Sequence, residues 1–142
     1  MQIGLEIVTD RSRIDSSLVH SLLADTYWAN NRTLEQTELS ISSSTPFAVF
    51  AGPLLVGFAR VISDRLTLAY LLDMYVIPER RGTGIGTLLL QTMLDHTYFE
   101  SVQRWMLRTM DAKSLYSRFG FELVADDDTL MVLDRAVKSN LG

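Results

Sequence analysis

The spacing of apolar and polar positions divides the first half of the chain into a strand, two helices and a hairpin. Residues 4–10 have the apolar content of a strand, and from Ile14 onward the apolar residues follow helical spacing. A polar stretch at residues 30–40 could hold a second short helix, with Thr33 as its N-cap, and residues 40–44 ("SISSS") are typical of a loop. Residues 46–63 indicate two strands around a Gly52–Pro53 turn, and hence a hairpin.

The second half begins with the longest apolar run of the chain. Residues 67–77 are almost continuously apolar, as in a central strand covered on both faces, and Asp73 is their one charged interruption. The spacing then predicts a helix from residue 85, a strand at 104–110, a short helix ended by Gly120, and closing strands at 121–125 and 129–135 around an acidic turn. The apolar faces of these two helices are Ile85, Leu88, Leu89 and Met93, and Ala112, Leu115, Tyr116 and Phe119.

These elements predict a mixed sheet with helices on its faces, an α/β fold (α+β in some schemes). No internal repeat or Pro/Gly-rich linker divides the sequence, so one domain over residues 1–142 is expected.

Composition narrows the functional classes. A net charge of −4 and a pI near 5.1 argue against nucleic acid as a partner, because phosphate contacts need a basic face. Without cysteine there is no disulfide framework, thiolate metal site or cysteine nucleophile. The sequence has no basic-then-apolar leader and no apolar run of membrane-spanning length, so a cytoplasmic protein without a membrane partner is expected.

The stretch 78–94, "PERRGTGIGTLLLQTML", predicts an anion site at a strand-to-helix corner. Gly82, Gly84 and Gly86 alternate after Arg80 and Arg81, which would let an anion reach backbone N–H groups at a helix N-terminus. The alternative is a tight turn that needs a positive φ at one glycine. The Walker lysine is missing, and the Rossmann spacing fails because residue 87 is Thr, so ATP and NAD fit poorly.

Two blocks of the sequence resemble the GNAT family of N-acetyltransferases. Arg81-x-x-Gly84-x-Gly86 after a long apolar strand resembles the family's motif A, [QR]-x-x-G-x-[GA]. Residues 112–124, "AKSLYSRFGFELV", resemble its later block of a helix with Leu-Tyr followed by Gly-Phe. Chain length and strand order also agree, so the resemblance covers nearly the whole chain.

The resemblance implies a mixed, mostly antiparallel twisted sheet that is splayed after the fourth strand and flanked by about four helices. Acetyl-CoA, as co-substrate, would lie in the resulting cleft. Its pyrophosphate would meet backbone N–H groups from Gly82 to Thr87, and its pantetheine arm would pair with the main chain of Met74 to Val76. The implied coenzyme-binding residues are Met74, Tyr75, Val76, Arg80, Arg81, Gly82, Thr83, Gly84, Ile85, Gly86 and Thr87.

The catalytic candidates are Tyr116 and Asp73. Direct transfer requires a neutral amine, and a proton for the departing thiolate, which a tyrosine hydroxyl at position 116 could supply. From its spacing alone, Tyr116 would instead be a core residue of an amphipathic helix. Asp73 could deprotonate or orient the amine, and water chains could also do so. The alternative for Asp73 is a structural ion pair with Arg60 on the neighbouring strand.

The acceptor side is expected at the loop between the first two helices. Its candidate residues are Tyr27, Trp28, Asn31 and Arg32. Arg32 suits an acceptor with a carboxylate or phosphate, whereas Glu35 and Glu38 suit a polycation, so the acceptor is left open.

The favoured function is transfer of acetyl from acetyl-CoA to the primary amine of a small metabolite, in a ternary complex. A protein or peptide amine acetyltransferase and a non-catalytic acyl-CoA-binding module are the alternatives. A homodimer is compatible with the resemblance. No metal is expected, because His20 and His96 are isolated in the sequence. Two positions depart from the family pattern: Thr109 stands where many members have Asn, and Lys113 where related members have His.

Overall fold

A computed structural model of the chain describes residues 4–125 and 127–135. The helices are α1 (Ser16–Leu23), α2 (Leu34–Ser42), α3 (Ile85–Asp95) and α4 (Lys113–Ser117). The strands are β1 (Leu5–Val8), β2 (Thr45–Ala51), β3 (Leu54–Ser63), β4 (Leu68–Val76) and β5 (Arg104–Met106).

The five strands form one sheet in chain order, β1-β2-β3-β4-β5. The first three pairings are antiparallel, and β5 runs parallel to β4. The connection between the parallel strands contains α3, as parallel neighbours require. The prediction of a mixed, mostly antiparallel sheet with about four helices is confirmed.

The sheet separates two hydrophobic cores. Successive side chains of β2 point to opposite faces, so Phe47 and Val49 pack with α3 while Ala48 packs with α1 and α2. Burial on α3 differs from its predicted apolar face, because Leu88 is 38% exposed and Leu90 is fully buried. The helix therefore presents a slightly rotated face to the sheet.

β4 departs from regular pairing in two places. Phe58 and Arg60 of β3 face Tyr75 and Leu72, so one residue of β3 lies opposite two of β4, and Asp73 at this bulge has a φ of 56°. Beyond the bulge the strand separates from β5, because β4 pairs with β5 only over Leu68–Tyr70. The predicted splay of the sheet is confirmed, and it opens a cleft beside the second half of β4.

The N-terminal helices agree with the sequence pattern. The Thr33 hydroxyl accepts a hydrogen bond from the Gln36 N–H, and the Gln36 side chain accepts one from the Thr33 N–H, which forms a capping box for α2. The expected loop at 40–44 is partly wrong, because α2 continues to Ser42.

The C-terminal strand predictions are wrong. The strand expected at 104–110 ends at Met106, and residues 121–125 and 129–135 form no strand. Apolar content gives a segment the propensity for a strand, but a strand also needs a paired neighbour, and the described part of the chain provides none for these residues. The helix expected to end at Gly120 ends earlier, at Ser117, and Gly120, with a φ of 93°, lies in the turn that follows it.

Some predictions extend beyond the described residues. Asp126 of the acidic turn and both ends of the expected domain over 1–142 lie outside them. Within the described ranges, none of the helices has the length and apolar content that crossing a bilayer would require.

Candidate active site

The glycine corner between β4 and α3 has the backbone of an anion site. Gly82 and Gly84 have φ values of 76° and 94°, a region that residues with a Cβ rarely adopt. Gly84 is the N-cap of α3 and provides no side-chain cap. A positive φ therefore accounts for two of the three glycines, and Gly86 lies inside the helix.

The N–H groups of this corner have no acceptor among the residues that the structure describes. In the described ranges, none of the backbone N–H groups from Gly82 to Thr87 donates to a backbone or side-chain acceptor. The first bond of α3 is donated by Leu88 to the Gly84 carbonyl. Six consecutive donors are thus available at the positive end of a helix dipole.

Packing within the protein does not require a glycine at position 86. A Cβ built there would lie 3.5 Å from a Leu115 methyl and 3.9 Å from the Met74 methyl, which are ordinary contacts. Gly86 also borders the cleft. The missing side chain therefore leaves space for something in the cleft rather than for the protein itself.

The two arginines before the glycines differ in their contacts. The Arg81 Nε–H donates to the Val76 carbonyl at 2.9 Å, and its guanidinium lies 5.1 Å from the Tyr75 ring centroid. Arg81 thus ties the corner to the end of β4. Arg80 is half-buried, and its carbonyl accepts a hydrogen bond from the Thr83 hydroxyl.

A cavity of about 460 Å³ occupies the cleft between β4 and the segment after β5. It reaches from the α1–α2 loop to Gly86 of α3 and to α4. The residues that line it are Tyr27, Trp28, Arg32, residues 70–76, Gly86, residues 107–112, Leu115 and Tyr116. The cavity therefore brings together the predicted sites on Met74 to Val76, on Tyr116 and on the α1–α2 loop.

Asp73 is the centre of a buried polar cluster. Its Oδ2 accepts hydrogen bonds from Arg32 and from the Arg60 Nε, each at 2.7 Å. Its Oδ1 accepts bonds from Arg32 and from the Trp28 indole, each at 3.0 Å. Four donors from the α1–α2 loop and β3 thus occupy the carboxylate, and the ion pair with Arg60 that the sequence left open is present.

The electrostatics of Asp73 follow from these contacts. Burial alone would raise the pKa of this carboxyl, but the Arg32 hydrogen bonds and the Arg60 charge outweigh it, so the pKa lies below its usual value. The group is therefore ionised at neutral pH and has two cationic partners.

Tyr116 has a buried ring and a hydroxyl without a hydrogen-bond partner in the described part of the chain. Only 6% of the residue is exposed, and within the described residues no hydrogen bond involves its hydroxyl. Burial, and then the negative charge of Asp111, raise the pKa of Tyr116 to about 12. The side chain both belongs to the core and borders the cavity, so it combines the two predicted alternatives.

The α1–α2 loop places three of its four candidate residues on the cavity. Tyr27, Trp28 and Arg32 line it, whereas Asn31 is exposed and is not among the lining residues. Tyr27 packs edge-on against Trp28, which packs edge-on against Tyr75. The loop thus forms one wall of the cleft.

The two departures from the family pattern have separate positions. The Thr109 hydroxyl accepts a hydrogen bond from the Ala112 N–H at 3.0 Å and so helps to begin α4. Lys113 borders a second cavity beside α4 and is not among the residues that line the cleft.

Sequence reasoning did not find the Trp28–Arg32–Asp73 network or the cleft residues Met110 and Asp111. Asp73 lies 41 positions from Arg32, so no local spacing could reveal their contact. The only available signal was the charge of Asp73 within an apolar strand, which requires a partner.

His20 and His96 have local hydrogen-bond partners. The His20 Nδ1 is paired with the Thr37 hydroxyl at 2.9 Å, and the His96 Nδ1 accepts from the Tyr98 N–H at 3.1 Å. Among the residues that the structure describes, no group of three or more His, Cys, Asp or Glu side chains could hold a metal ion.

Comparison with known proteins agrees with this fold. The family model described as an acetyltransferase (GNAT) domain matches residues 44–123, which is more than half of the chain. A GNAT-family structure from Xanthomonas campestris pv. campestris is 38% identical, with 94% of this chain and 93% of that chain covered and a TM-score of 0.85. The chain therefore belongs to the GNAT acetyltransferase family, and the resemblance seen in its motifs is confirmed.

Two further relatives extend the comparison. A structure from Clostridium acetobutylicum, described as a predicted acetyltransferase with acetyl-CoA, has the same fold at 18% identity, with a TM-score of 0.68 over 92% of this chain and 96% of that one. A protein of Gibberella zeae that is named as a candidate acetyltransferase is 36% identical over 64 residues. That match spans 44% of this chain but only 36% of the Gibberella protein's length.

Proposed function

We propose that this chain transfers the acetyl group of acetyl-CoA to a primary amine of a small metabolite. The observation that carries the proposal is a run of six backbone N–H groups at the start of α3, Gly82 to Thr87, which have no acceptor within residues 4–125 and 127–135. Each hydrogen bond to a charged group contributes about 1.5–3 kcal/mol, so a few of them would anchor a diphosphate. Family membership and the Clostridium relative described with acetyl-CoA point to the same coenzyme.

The coenzyme would extend from the glycine corner into the cleft. Its diphosphate would accept from the N–H groups of residues 82–87, with Arg80 and Arg81 adding positive charge nearby. Beyond Tyr70, the edge of β4 that faces away from β3 has no strand partner among the described residues. The main chain of Met74 to Val76 could therefore pair with the amide groups of the pantetheine arm, and an N–H near Met74 could polarise the thioester carbonyl.

The chemistry is a direct transfer. The amine nitrogen attacks the thioester carbonyl carbon, the C–S bond breaks, and the departing sulfur takes a proton while the amine loses one. The Tyr116 hydroxyl is a suitable donor for the sulfur, because Tyr116 borders the cleft, the hydroxyl has no partner among the described residues, and it holds its proton at neutral pH. No cysteine exists to carry a covalent acetyl group.

Asp73 is better suited to a positioning role than to accepting the amine's proton. Each of its oxygens already accepts two hydrogen bonds, and its pKa is lowered, so proton uptake would disrupt the cluster. In this role it holds Trp28 and Arg32 against β4 at the acceptor side of the cleft. Water in the cleft would then remove the amine's proton.

The cleft, which the coenzyme's arm and the acceptor would share, has the size of a small-molecule site. Its volume of about 460 Å³ lies within the range of about 300–1,000 Å³ that is typical of small-molecule sites. Tyr27, Trp28 and Arg32 form the wall where the acceptor would lie. A protein or peptide amine is the alternative acceptor class, and the cytoplasm is the proposed location of the reaction.

Two measurements on the purified chain test the proposal. Isothermal titration calorimetry should detect binding of acetyl-CoA but not of ATP, and the absence of any heat with acetyl-CoA would refute it. Release of free thiol should then be measured with a library of small primary amines and a panel of peptides. Turnover with peptides alone would move the acceptor to the alternative class. Binding without turnover on either panel would favour a non-catalytic acyl-CoA-binding module.

A further inference from the structure

Two cationic side chains and two carboxylates line the cleft. Arg32 belongs to the α1–α2 loop and Asp73 to β4. Arg108 and Asp111 belong to the segment after β5. Among the described residues, ion pairs involve Arg32 and Asp73 but neither Arg108 nor Asp111. The side of the cleft at Arg32 is therefore the one whose charges are held in a fixed arrangement.

Arg32 uses only one edge of its guanidinium group to bind Asp73. One Nη–H donates to Oδ2 at 2.7 Å, and the other Nη–H donates to Oδ1 at 3.0 Å. A guanidinium has five N–H donors in one plane, and the Nε–H forms a second parallel pair with the Nη–H next to it. This second pair has no acceptor among the described residues.

The second pair of donors is accessible from the cleft. The Arg32 side chain borders the cleft and is 17% exposed. Among the described residues no buried side-chain nitrogen lacks a hydrogen-bond partner, so the Arg32 Nε, which has none there, is not fully buried. A ligand carboxylate can therefore bind to this edge in bidentate geometry while Asp73 remains bound to the other edge.

The polar cluster around Arg32 has one positive charge in excess. Arg32 and Arg60 share the single carboxylate of Asp73, each with a contact of 2.7 Å. A charge that is taken out of water is costly unless an opposite charge accompanies it. An anionic group on the acceptor would supply that opposite charge, so this side of the cleft favours an anion over a cation.

The two acidic residues that suit a polycationic acceptor lie away from the cleft. Glu35 and Glu38 are exposed residues of α2, and neither is among the residues that line the cleft. The sequence left open a choice between these glutamates and Arg32 as the acceptor's partner. The structure has Arg32 at the cleft and the glutamates outside it.

The opposite side of the cleft suits the amine end of the acceptor. Asp111 lines the cleft and is exposed. Its negative charge raises the pKa of Tyr116, so the carboxylate is close to the hydroxyl that would protonate the departing sulfur. A carboxylate at this position attracts the ammonium form of an amine towards the reaction centre.

We propose that the acceptor is an amine that also bears a carboxylate, as amino acids do, and that Arg32 determines this specificity. The Nε–H and the adjacent Nη–H of Arg32 bind the acceptor's carboxylate, and Asp111 attracts its ammonium group. Tyr27, largely exposed on the same wall as Arg32, provides a ring for the carbon chain between them. This inference rests on the proposed acetyl transfer, and the experiments below distinguish the failure of one from the failure of the other.

The first test compares amines that differ only at the carboxylate. Thiol release is measured with the wild-type chain, acetyl-CoA, and the standard L-amino acids, β-alanine and γ-aminobutyrate, each beside its carboxamide. Rates are corrected for the fraction of unprotonated amine, which differs within each pair. The kcat/KM of the best amino acid should exceed that of its carboxamide by about 10–100-fold, the effect of about one hydrogen bond between charged groups.

Two further amines in this test represent the other acceptor chemistries. O-Phosphoethanolamine carries a phosphate, and putrescine is a polycation. Faster turnover of either one than of every amino acid, or equal turnover of amino acids and their carboxamides, would overturn the inference and leave acetyl transfer intact.

The second test assigns the preference to Arg32. Arg32→Lys keeps a positive charge beside Asp73 but removes the second pair of N–H donors. The ratio of kcat/KM for the amino acid to kcat/KM for its carboxamide should therefore fall about 10-fold or more. A purely structural loss would lower both rates together and leave the ratio unchanged. Arg108→Lys, which alters the other cation of the cleft, should keep the ratio, and the opposite result in the two variants would reject Arg32 as the determinant.

A third measurement needs no variant and no turnover. The wild-type chain is titrated by calorimetry with each amino acid and its carboxamide, with and without CoA, which carries no acetyl group to transfer. Binding that is selective for the carboxylate, without thiol release in the first test, would support the acceptor site and reject acetyl transfer. If no carboxylate-bearing amine either binds or turns over, the inference is overturned.

Discussion

Tyr116 has a buried ring and borders the cleft. Its ring packs edge-on against Phe121 at a centroid distance of 5.8 Å, while the hydroxyl has no hydrogen-bond partner among the described residues. Among the described residues no buried side-chain nitrogen or oxygen lacks a hydrogen-bond partner, so the Tyr116 hydroxyl, which has none there, is not fully buried and is open to a molecule in the cleft that Tyr116 lines.

Replacing Tyr116 with Phe should lower kcat by about 10²–10⁴-fold, the usual contribution of a general acid, while leaving the Kd for acetyl-CoA nearly unchanged. The measurement is steady-state kinetics together with calorimetry. Tyr70→Phe is the matched control, because Tyr70 borders the same two cavities and should retain activity. Unchanged turnover of the Tyr116 variant at every pH would refute the acid role.

The same substitution should change the alkaline stability of the protein. The folded-state pKa of Tyr116 is raised to about 12 from an ordinary value of 10.0, so ionisation favours the unfolded chain. Its contribution is fully present below pH 10.0 and is lost as the pH rises towards 12. Urea denaturation across this window should show a steeper loss of stability for the wild type than for Tyr116→Phe. Parallel curves would contradict the raised pKa.

Replacing Asp73 with Asn should destabilise the fold at neutral pH by about 3–5 kcal/mol, because it leaves two cationic side chains without their buried partner. The folded-state pKa of Asp73 is depressed, so its contribution is present above the unfolded pKa of about 4 and is lost as the pH falls through the folded value. Denaturation curves should therefore show the variant and the wild type converging at acid pH.

Asp25→Asn, at an exposed position, is the control for this comparison and should leave stability within about 0.5 kcal/mol of the wild type. If Asp73→Asn is as stable as this control at neutral pH, the four-donor cluster is not the structural element proposed here.

At the scale of elements, a substitution at the glycine corner should affect coenzyme binding and protein stability in opposite directions. Gly86 is not needed for packing, and alanine is the better helix former by roughly 0.5–1 kcal/mol. Gly86→Ala should therefore raise the stability of the free protein slightly while weakening acetyl-CoA binding about 10–100-fold, the loss of about one charged hydrogen bond. Calorimetry and thermal unfolding measure the two effects. Gln91→Ala, on the exposed side of α3, should leave the coenzyme's Kd unchanged.

The capping box of α2 offers a second test at this scale. Thr33→Ala removes the hydroxyl that accepts from the Gln36 N–H, and it should cost about 1 kcal/mol of stability. Thr33→Ser keeps the acceptor and should recover most of that loss in urea denaturation. Equal stability of the alanine and serine variants would show that the cap contributes nothing.

Elements with strong local signals were predictable, and elements defined by distant partners were not. The N-cap at Thr33 predicted the start of α2, and the Gly52–Pro53 turn predicted the hairpin. The apolar run 67–77 predicted β4 to within one residue at each end. The strand predicted at 104–110 has only three residues in the structure. β4 separates from it beyond Tyr70, so residues after Met106 have no strand to pair with. The segment 121–135 has strand propensity, but pairing depends on what lies beside it, which local sequence does not encode.

For the whole molecule, the sequence predicted which segments border the cleft better than it predicted the contacts among them. The sequence indicated four sets of candidate residues: Gly82 to Thr87, Met74 to Val76, Tyr116 and the α1–α2 loop. The cleft is lined by at least one residue of each set. The bulge at Asp73 was not foreseen, because a φ of 56° at a non-glycine residue depends on the buried ring of donors around it.

Saturation with acetyl-CoA should stabilise the whole chain by mass action. At a free acetyl-CoA concentration of one hundred times the Kd, the free energy of unfolding should increase by about 2.7 kcal/mol, and the Tm should rise accordingly. ATP at the same concentration should produce no shift. A larger shift with ATP than with acetyl-CoA would favour a nucleotide-binding function instead.

The Asp73 cluster also determines how readily this protein could acquire new acceptors. Arg32 and Trp28 line the proposed acceptor side of the cleft and are hydrogen-bonded to Asp73, so under the proposed function a substitution of either one should change both acceptor preference and stability. Tyr27 is 60% exposed on the same wall and lies outside the cluster. When acceptor preference changes, in nature or in directed evolution, the first substitutions should therefore occur at Tyr27. Substitutions of Arg32 should be accepted only in variants whose free energy of unfolding is large enough to offset the lost contact with Asp73.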